Sequence, residues 1–150
     1  MNITHRTATA LVLLSISLLI SGCCSDDPAA PCTPPSIITT DSGLQYLDME
    51  PGSGPPSEAG DSITVHFETW LADGTQIESS RDRNDPFTFQ LDVGMVIAGF
   101  DEGTTGMKVG GKRKLFIPPH LAYGENGAGP TIPPNAWLTF IVEVIEIEEE

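Results

Sequence analysis

The 150-residue sequence has few basic side chains. Seven lysines and arginines stand against 21 aspartates and glutamates, so the formal net charge is −14. A surface of that sign repels nucleic acid, whose phosphates require a basic face. It also offers no electrostatic attraction to anionic lipid head groups. The charge therefore argues against nucleic-acid binding and against purely electrostatic membrane binding as functions.

Cysteine and histidine are also scarce, with three of each. The cysteines are Cys23, Cys24 and Cys32; they form no C-x-x-C pair, and the histidines lie in unrelated contexts. No zinc site or other metal site is therefore expected. Three cysteines do not make a disulfide framework either. An oxidising compartment leaves a bridge between Cys24 and Cys32 open, but that bridge would not staple the core.

A nucleotide-binding loop is missing too, although residues 106–113, "GMKVGGKR", fit the pattern G-x-x-x-x-G-K. Such a loop needs Ser or Thr after the lysine to hold Mg²⁺, and it opens a helix. Here Arg113 follows Lys112, and the segment leads into a predicted strand. We interpret the segment as a glycine turn.

The long apolar run that is present lies at the N terminus. It spans residues 10–20 and follows His5 and Arg6, which is the layout of a secretory signal peptide over residues 1–22. The run is short for a transmembrane helix, which needs about 20 apolar residues.

The run ends in "LISGC", residues 19–23, which resembles a bacterial lipobox. The resemblance implies cleavage before Cys23 and lipidation of that cysteine, and several acyl chains anchor a protein stably. No aspartate follows Cys23 to indicate inner-membrane retention. We therefore expect an extracytoplasmic, membrane-anchored lipoprotein, held in the outer membrane of a Gram-negative host and facing the periplasm or the cell surface. An ordinary signal peptide or a retained anchor is the alternative.

The lipidated cysteine is predicted to begin a flexible tether over residues 23–41. This stretch is rich in Pro, Asp, Ser and Thr, a composition typical of extended linkers. Residues 42–150 then form one domain, which is long enough for a single core.

Most of that domain has the alternating pattern of β-strands. Within residues 62–71, Ile63, Val65, Phe67 and Leu71 alternate with polar residues, which predicts a strand with one buried face. Further strands are predicted over residues 44–49, 76–80, 87–91, 112–118 and 137–147.

Residues 96–107 break the alternation. Val96, Ile97 and Phe100 have helical spacing there, which predicts one short helix. The combined elements favour an α+β domain in which the helix crosses an antiparallel sheet.

Several segments together resemble one family. They are V-H-F, D-G-T, S-S-R-D-R, P-F-x-F, G-x-V-I-x-G-F, A-Y-G and I-P-P-N-A, and they run in order between Leu44 and Ile147. This combination is similar to the FKBP-type peptidyl-prolyl cis–trans isomerases. The resemblance implies an antiparallel sheet of five or six strands curled around one short α-helix, with an aromatic pocket between them.

The resemblance also implies the site residues. The backbone N–H of Ile97 and the hydroxyl of Tyr123 would donate to substrate carbonyls. Phe100 would form the pocket floor, and Glu78 would orient the substrate electrostatically without abstracting a proton. The substrate-binding positions implied in addition are Phe67, Ile77, Phe87, Val96, Ile132 and Phe140.

The residues taken alone leave alternatives open. Aromatic side chains on strands are more often plain core, and Phe67 and Phe140 fit that interpretation. Glu78 fits a solvated strand charge as well as a pocket acid. Tyr123 is different, because a large ring with a hydroxyl beside a glycine is costly to leave wet and useful at a pocket edge.

The sequence also departs from the family at several positions. Phe67 lacks a hydroxyl that the family often has there, and Ile77 stands where an aromatic is frequent. Ala128 and Thr131 replace larger residues that often touch ligands. We therefore expect isomerase activity, whereas strong binding of a macrolide immunosuppressant is not expected.

The expected function is acceleration of Xaa-Pro isomerisation in extracytoplasmic proteins, so the partners are proline-containing polypeptides. This rotation crosses a barrier of about 20 kcal/mol without making or breaking a bond, so no nucleophile, metal or cofactor is needed. The alternative is a non-catalytic module that binds proline peptides on the same fold. A proline-independent chaperone is disfavoured, because the loop over residues 122–134 leaves no room for an inserted domain.

Overall fold

The computed structural model describes residues 36–149. Outside these residues lie the predicted signal peptide, the predicted lipidation site at Cys23, and most of the predicted tether. The cysteines Cys24 and Cys32 lie outside them as well. No helix in the described range is long and apolar enough to cross a membrane.

Residues 36–149 form seven antiparallel strands, one α-helix and two short 3-10 helices. The strands are β1 (Ile38–Thr39), β2 (Gln45–Glu50), β3 (Ser62–Leu71), β4 (Gln76–Ser79), β5 (Phe87–Gln90), β6 (Lys112–Ile117) and β7 (Leu138–Glu148). The α-helix, α1, is Ala98–Thr104, and the 3-10 helices are Pro119–Leu121 and Gly124–Asn126. The sheet order is β1-β2-β6-β7-β3-β4, and β5 also pairs with β3.

The predicted α+β architecture, an antiparallel sheet with one short helix, is confirmed. The strand number is seven instead of five or six, because β1 adds a strand beyond β2. Ile38 and Thr39 pair there with Tyr46 and Gln45. This strand falls within residues 23–41, where we predict the tether. Two exposed residues offer no alternation, so the sequence pattern gives no signal for it.

The inner face of the sheet carries the core. Strands β3 and β7 pair along their whole lengths, and alternate residues such as Ile63, Val65 and Val142 are fully buried. Alternate side chains of a strand point to opposite faces, so one face of each strand is dry. The helix α1 covers this dry face.

Two glycines let α1 lie close to β6. A Cβ atom on Gly99 would come within 2.3 Å of Ile117 Cγ2, and one on Gly103 within 2.7 Å of Leu115 Cδ1. A larger side chain at either position would require Ile117 or Leu115 to move. The close approach brings Phe100, between the two glycines, down onto the inner face, where it is 4% exposed.

The turn between β3 and β4 follows the "ADGT" signal. Gly74 adopts φ 87°, and the backbone N–H of Thr75 donates to Asp73 Oδ1 at 2.8 Å. That hydrogen bond lowers the pKa of the Asp73 carboxyl. The turn sends β4 back along β3 and places Glu78 opposite Thr69.

Candidate active site

A cavity of about 380 Å³ opens between the inner face of the sheet, α1 and two loops. One loop precedes α1, and the other, residues 122–134, precedes β7. The cavity is lined by Phe67, Thr69, Ile77, Glu78, Phe87, Met95, Val96, Ile97, Phe100, Tyr123, Ile132, Leu138 and Phe140.

All ten site residues named from the sequence lie around this cavity. Three further residues line it, namely Thr69, Met95 and Leu138. Leu138 has the inner-face register of β7, so the alternation already pointed to it. Thr69 occupies the same register on β3 between Phe67 and Leu71, but a polar residue there gives no core signal. Met95 precedes Val96 in the loop and carries no pattern of its own.

Aromatic rings form the base of the cavity. The Phe67 and Phe100 ring centroids are 6.0 Å apart in an edge-to-face arrangement, and those of Phe100 and Phe140 are 5.1 Å apart. Such geometries are favourable because the positive edge of one ring meets the negative face of the other. The cluster holds Phe100 rigidly at the base, while Phe87 and Tyr123 at 37% and 41% exposure form the rim.

Ser80, from the S-S-R-D-R motif, holds Phe67 in place. Its N–H donates to the Phe67 carbonyl at 2.9 Å. Its Oγ accepts the Phe67 N–H at 2.8 Å. Ser80 is fully buried, so these hydrogen bonds are shielded from water. They fix the strand edge on which the Phe67 ring stands.

The loop over residues 122–134 is closed by its own backbone. Ala128 and Ile132 exchange hydrogen bonds of 2.9 and 3.1 Å, and Asn135 N–H donates to Gly124 O at 2.8 Å. These bonds fix Ile132 at the cavity rim, whereas Ala128 and Thr131 do not line the cavity. The structure thus separates the tip of this loop from the site.

The two hydrogen-bond donors predicted from the sequence, the Ile97 N–H and the Tyr123 hydroxyl, have no partner within residues 36–149. Ile97 is the N-cap of α1; its carbonyl accepts hydrogen bonds from Phe100 and Asp101, but its N–H donates none. The Tyr123 hydroxyl, on the exposed rim, also makes no hydrogen bond to these residues. A free donor beside an apolar cavity can bind a carbonyl without first breaking a protein hydrogen bond.

Glu78 is held by a charged neighbour. Arg83 Nη1 donates to Glu78 Oε1 at 2.7 Å, and both side chains are nearly half exposed. An exposed ion pair of this kind contributes at most about 1 kcal/mol to stability. The partner of the Glu78 carboxylate is therefore the guanidinium of Arg83, on the loop after β4.

Within the described range, no cluster of three or more His, Cys, Asp or Glu side chains could hold a metal ion. The cavity offers an apolar surface, the Ile97 N–H, the hydroxyls of Tyr123 and Thr69, and the Glu78 carboxylate.

Comparison with known proteins agrees with this geometry. A family model described as FKBP-type peptidyl-prolyl cis-trans isomerase matches residues 54–145. An FK506-binding protein of Neisseria meningitidis serogroup B is 50% identical over 107 residues, which cover 71% of this chain and 98% of that protein. The peptidyl-prolyl cis-trans isomerase Fkbp12 of Drosophila melanogaster is 45% identical over 107 residues, 71% of this chain and 99% of that protein.

Solved structures share the fold. FkpA from Escherichia coli is 41% identical with a TM-score of 0.70, over 75% of this chain and 51% of that chain. AtFKBP13 is 39% identical with a TM-score of 0.69, over 74% of this chain and 98% of that chain.

The family model and the similar bacterial protein both confirm the resemblance predicted from the motifs. The family model covers most of the chain, and the similar bacterial protein is matched over almost its whole length. The chain therefore belongs to the FKBP-type peptidyl-prolyl cis–trans isomerases, enzymes that interconvert the cis and trans forms of the bond before proline.

Proposed function

We propose that the cavity accelerates this rotation by binding the twisted amide more tightly than the planar amide. The planar form is the more polar one, because resonance spreads charge over its oxygen and nitrogen. The aromatic floor around Phe100 stabilises that charge poorly. The planar amide therefore binds there less tightly than the twisted amide, in which resonance is broken and less charge is separated. Binding that is stronger in the transition state than in the ground state raises the rate. The observation that carries this proposal is the Phe67–Phe100–Phe140 ring cluster at the base of the cavity, in which Phe100 and Phe140 are buried.

The two free donors hold the substrate across the rotating bond. The Ile97 N–H and the Tyr123 hydroxyl each bind a substrate carbonyl and keep the prolyl ring against Phe100. Glu78 orients the substrate through its charge. No proton is transferred, because the rotation neither makes nor breaks a bond to hydrogen.

Tyr123→Phe tests the donor at the rim. Losing one neutral hydrogen bond in the transition state is expected to lower kcat/KM about 3- to 10-fold. NMR exchange on a short Xaa-Pro peptide, with the full chain in detergent micelles, measures this rate.

Tyr46→Phe is the matched control, since the second tyrosine of the chain does not line the cavity. Its kcat/KM is expected to equal that of the wild type. Equal rates for Tyr123→Phe and the wild type would remove the hydroxyl from the mechanism.

We further propose that the enzyme acts outside the cytoplasm as a lipoprotein anchored through Cys23. The apolar run, the "LISGC" segment and the Pro-rich stretch after it support this location. Such an anchor would keep the cavity close to a membrane where secreted polypeptides fold, and their Xaa-Pro bonds would be the substrates.

Mass spectrometry of the mature N terminus tests the anchor. We expect a first residue Cys23 carrying the mass of its acyl chains, and a protein that sediments with membranes. Cys23→Ser is expected to abolish both, whereas Cys24→Ser, the adjacent control, leaves both unchanged. An unmodified N terminus at another residue would contradict the proposal.

A further inference from the structure

Thr69 lines the cavity, yet its hydroxyl makes no hydrogen bond to the described residues. The residue is 4% exposed. Its Oγ1 is the one buried side-chain nitrogen or oxygen among the residues of the described domain that lacks a hydrogen-bond partner. Buried hydroxyls in folded proteins are normally hydrogen-bonded, because an unpaired one destabilises the folded state. Valine has nearly the same shape and would occupy this position without that cost.

The neighbours of Thr69 are residues of the cavity. Thr69 pairs with Phe140 on β7 and with Glu78 on β4, and all three line the cavity. The Glu78 carboxylate is engaged by Arg83, and Phe140 offers no acceptor. None of the described residues around Thr69 makes a hydrogen bond to its hydroxyl.

No hydrogen bond fixes the rotamer of the Thr69 side chain. The hydroxyl and the methyl group share Cβ, so a rotation of about 120° about χ1 exchanges staggered positions. No hydrogen bond holds Oγ1 in its present position. The β3–β4 register shifts between Thr69 and Trp70, and such irregularities re-aim side chains near active sites. An occupant of the cavity with a polar group would give the hydroxyl the partner it lacks.

We propose that Thr69 is a further substrate-binding residue of the isomerase: its hydroxyl binds a hydrogen-bonding group of the polypeptide beside the prolyl ring. That group is either a main-chain carbonyl or a polar side chain of the residue before proline. The inference rests on the proposed binding of the Xaa-Pro segment in this cavity. If the group is a side chain, Thr69 also sets specificity, because a substrate without that side chain leaves the buried hydroxyl unpaired.

The test compares two peptides that differ only in the residue before proline, Gln or Leu. The wild-type full chain, Thr69→Val and Thr69→Ser are assayed by NMR exchange in detergent micelles. Thr69→Val keeps the shape and removes the hydroxyl, whereas Thr69→Ser keeps the hydroxyl. We expect Thr69→Val to lose about 10-fold in kcat/KM for a substrate that uses the hydrogen bond, and Thr69→Ser to stay near the wild type.

The two peptides distinguish the sources of the polar group. A loss confined to the Gln-Pro peptide identifies a side-chain partner, and an equal loss with both peptides identifies the main-chain carbonyl. Unchanged kcat/KM in Thr69→Val, or an equal loss in Thr69→Val and Thr69→Ser, overturns the proposal.

Two controls separate this result from other failures. Thr139→Val makes the same change at a β7 position that does not line the cavity, and its kcat/KM is expected to be unchanged. Thr69→Val is expected to unfold at a temperature no lower than the wild type, because it removes an unpaired buried hydroxyl. A lower unfolding temperature together with unchanged kcat/KM for both peptides assigns the hydroxyl a structural role and overturns the proposal. A wild type that accelerates neither peptide refutes the proposed catalysis itself, and the Thr69 inference with it.

Discussion

Phe100→Ala is expected to lower both the activity and the stability of the enzyme more than any other single change in the cavity. The ring is 4% exposed and contacts the rings of Phe67, Phe89 and Phe140 at centroid distances of 5.1 to 6.0 Å. Truncating a buried phenylalanine costs about 3–5 kcal/mol of unfolding free energy. The same truncation removes the floor under the prolyl ring, an apolar contact of about 1.5–3 kcal/mol. At 1.4 kcal/mol per tenfold, kcat/KM falls about 10- to 100-fold.

The two effects are measured separately. Urea denaturation gives the loss of unfolding free energy, and NMR exchange at a temperature where the variant is fully folded gives kcat/KM. Leu115→Ala is the matched control, since Leu115 is fully buried but does not line the cavity. It is expected to lose about 2–5 kcal/mol of stability and to keep its rate once folded. If both variants lose the same activity, Phe100 acts through the fold and the proposed pocket floor is wrong.

Strands with one dry face were predictable from the sequence. In β3 and β7, apolar residues such as Val65 and Val142 recur at every second position because the inner face excludes water and the outer face does not. The strand β1 was not predictable, because Ile38 and Thr39 are exposed and too few to alternate. The helix α1 also begins later than the sequence spacing predicted, at Ala98. Val96 and Ile97 fit helical spacing but precede the helix, with Ile97 as its N-cap in extended conformation.

The apolar part of the site followed from the motifs, and its polar part did not. A phenylalanine in a family motif keeps its position relative to the chain, so Phe67 and Phe100 could be placed by resemblance. The partner of Glu78 could not, since its contact with Arg83 depends on how the chain turns after β4. Thr69 was missed for a similar reason. Whether a hydroxyl is hydrogen-bonded depends on the atoms around it in space, and these neighbours cannot be inferred from sequence spacing.

The loop over residues 122–134 has the composition of a linker, but it folds as a fixed edge of the cavity. We call this edge the lip. Its glycines allow a backbone course that brings the Gly127 segment against the segment returning to β7. Gly127 adopts φ 64° and ψ −164°, a region that is populated almost only by glycine. A Cβ atom there would lie 2.3 Å from Ile132 O and 2.8 Å from Pro133 C. The position of Ile132 at the rim of the cavity thus depends on the absence of one side chain.

Gly127→Ala is therefore expected to displace the lip. The strained backbone alone costs about 1–3 kcal/mol, and the clash with backbone atoms cannot be relieved by turning a side chain. We expect a loss of about 3 kcal/mol in unfolding free energy by urea denaturation. The Ala128–Ile132 hydrogen bonds weaken, so Ile132 leaves the rim and KM rises several-fold while the base of the cavity stays intact.

Gly129→Ala is the control for this change, because it alters the same loop and leaves the lip in place. Gly129 also has a positive φ, 56°, but a Cβ atom there would meet nothing within 4 Å. Its cost is only that of the left-handed conformation, about 1–2 kcal/mol, with KM unchanged. Comparing Gly127→Ala with Gly129→Ala therefore separates the effect of the clash with Ile132 from the effect of backbone strain. Equal effects of the two substitutions on KM would mean that strain anywhere in the loop, and not the seating of Ile132, governs substrate binding.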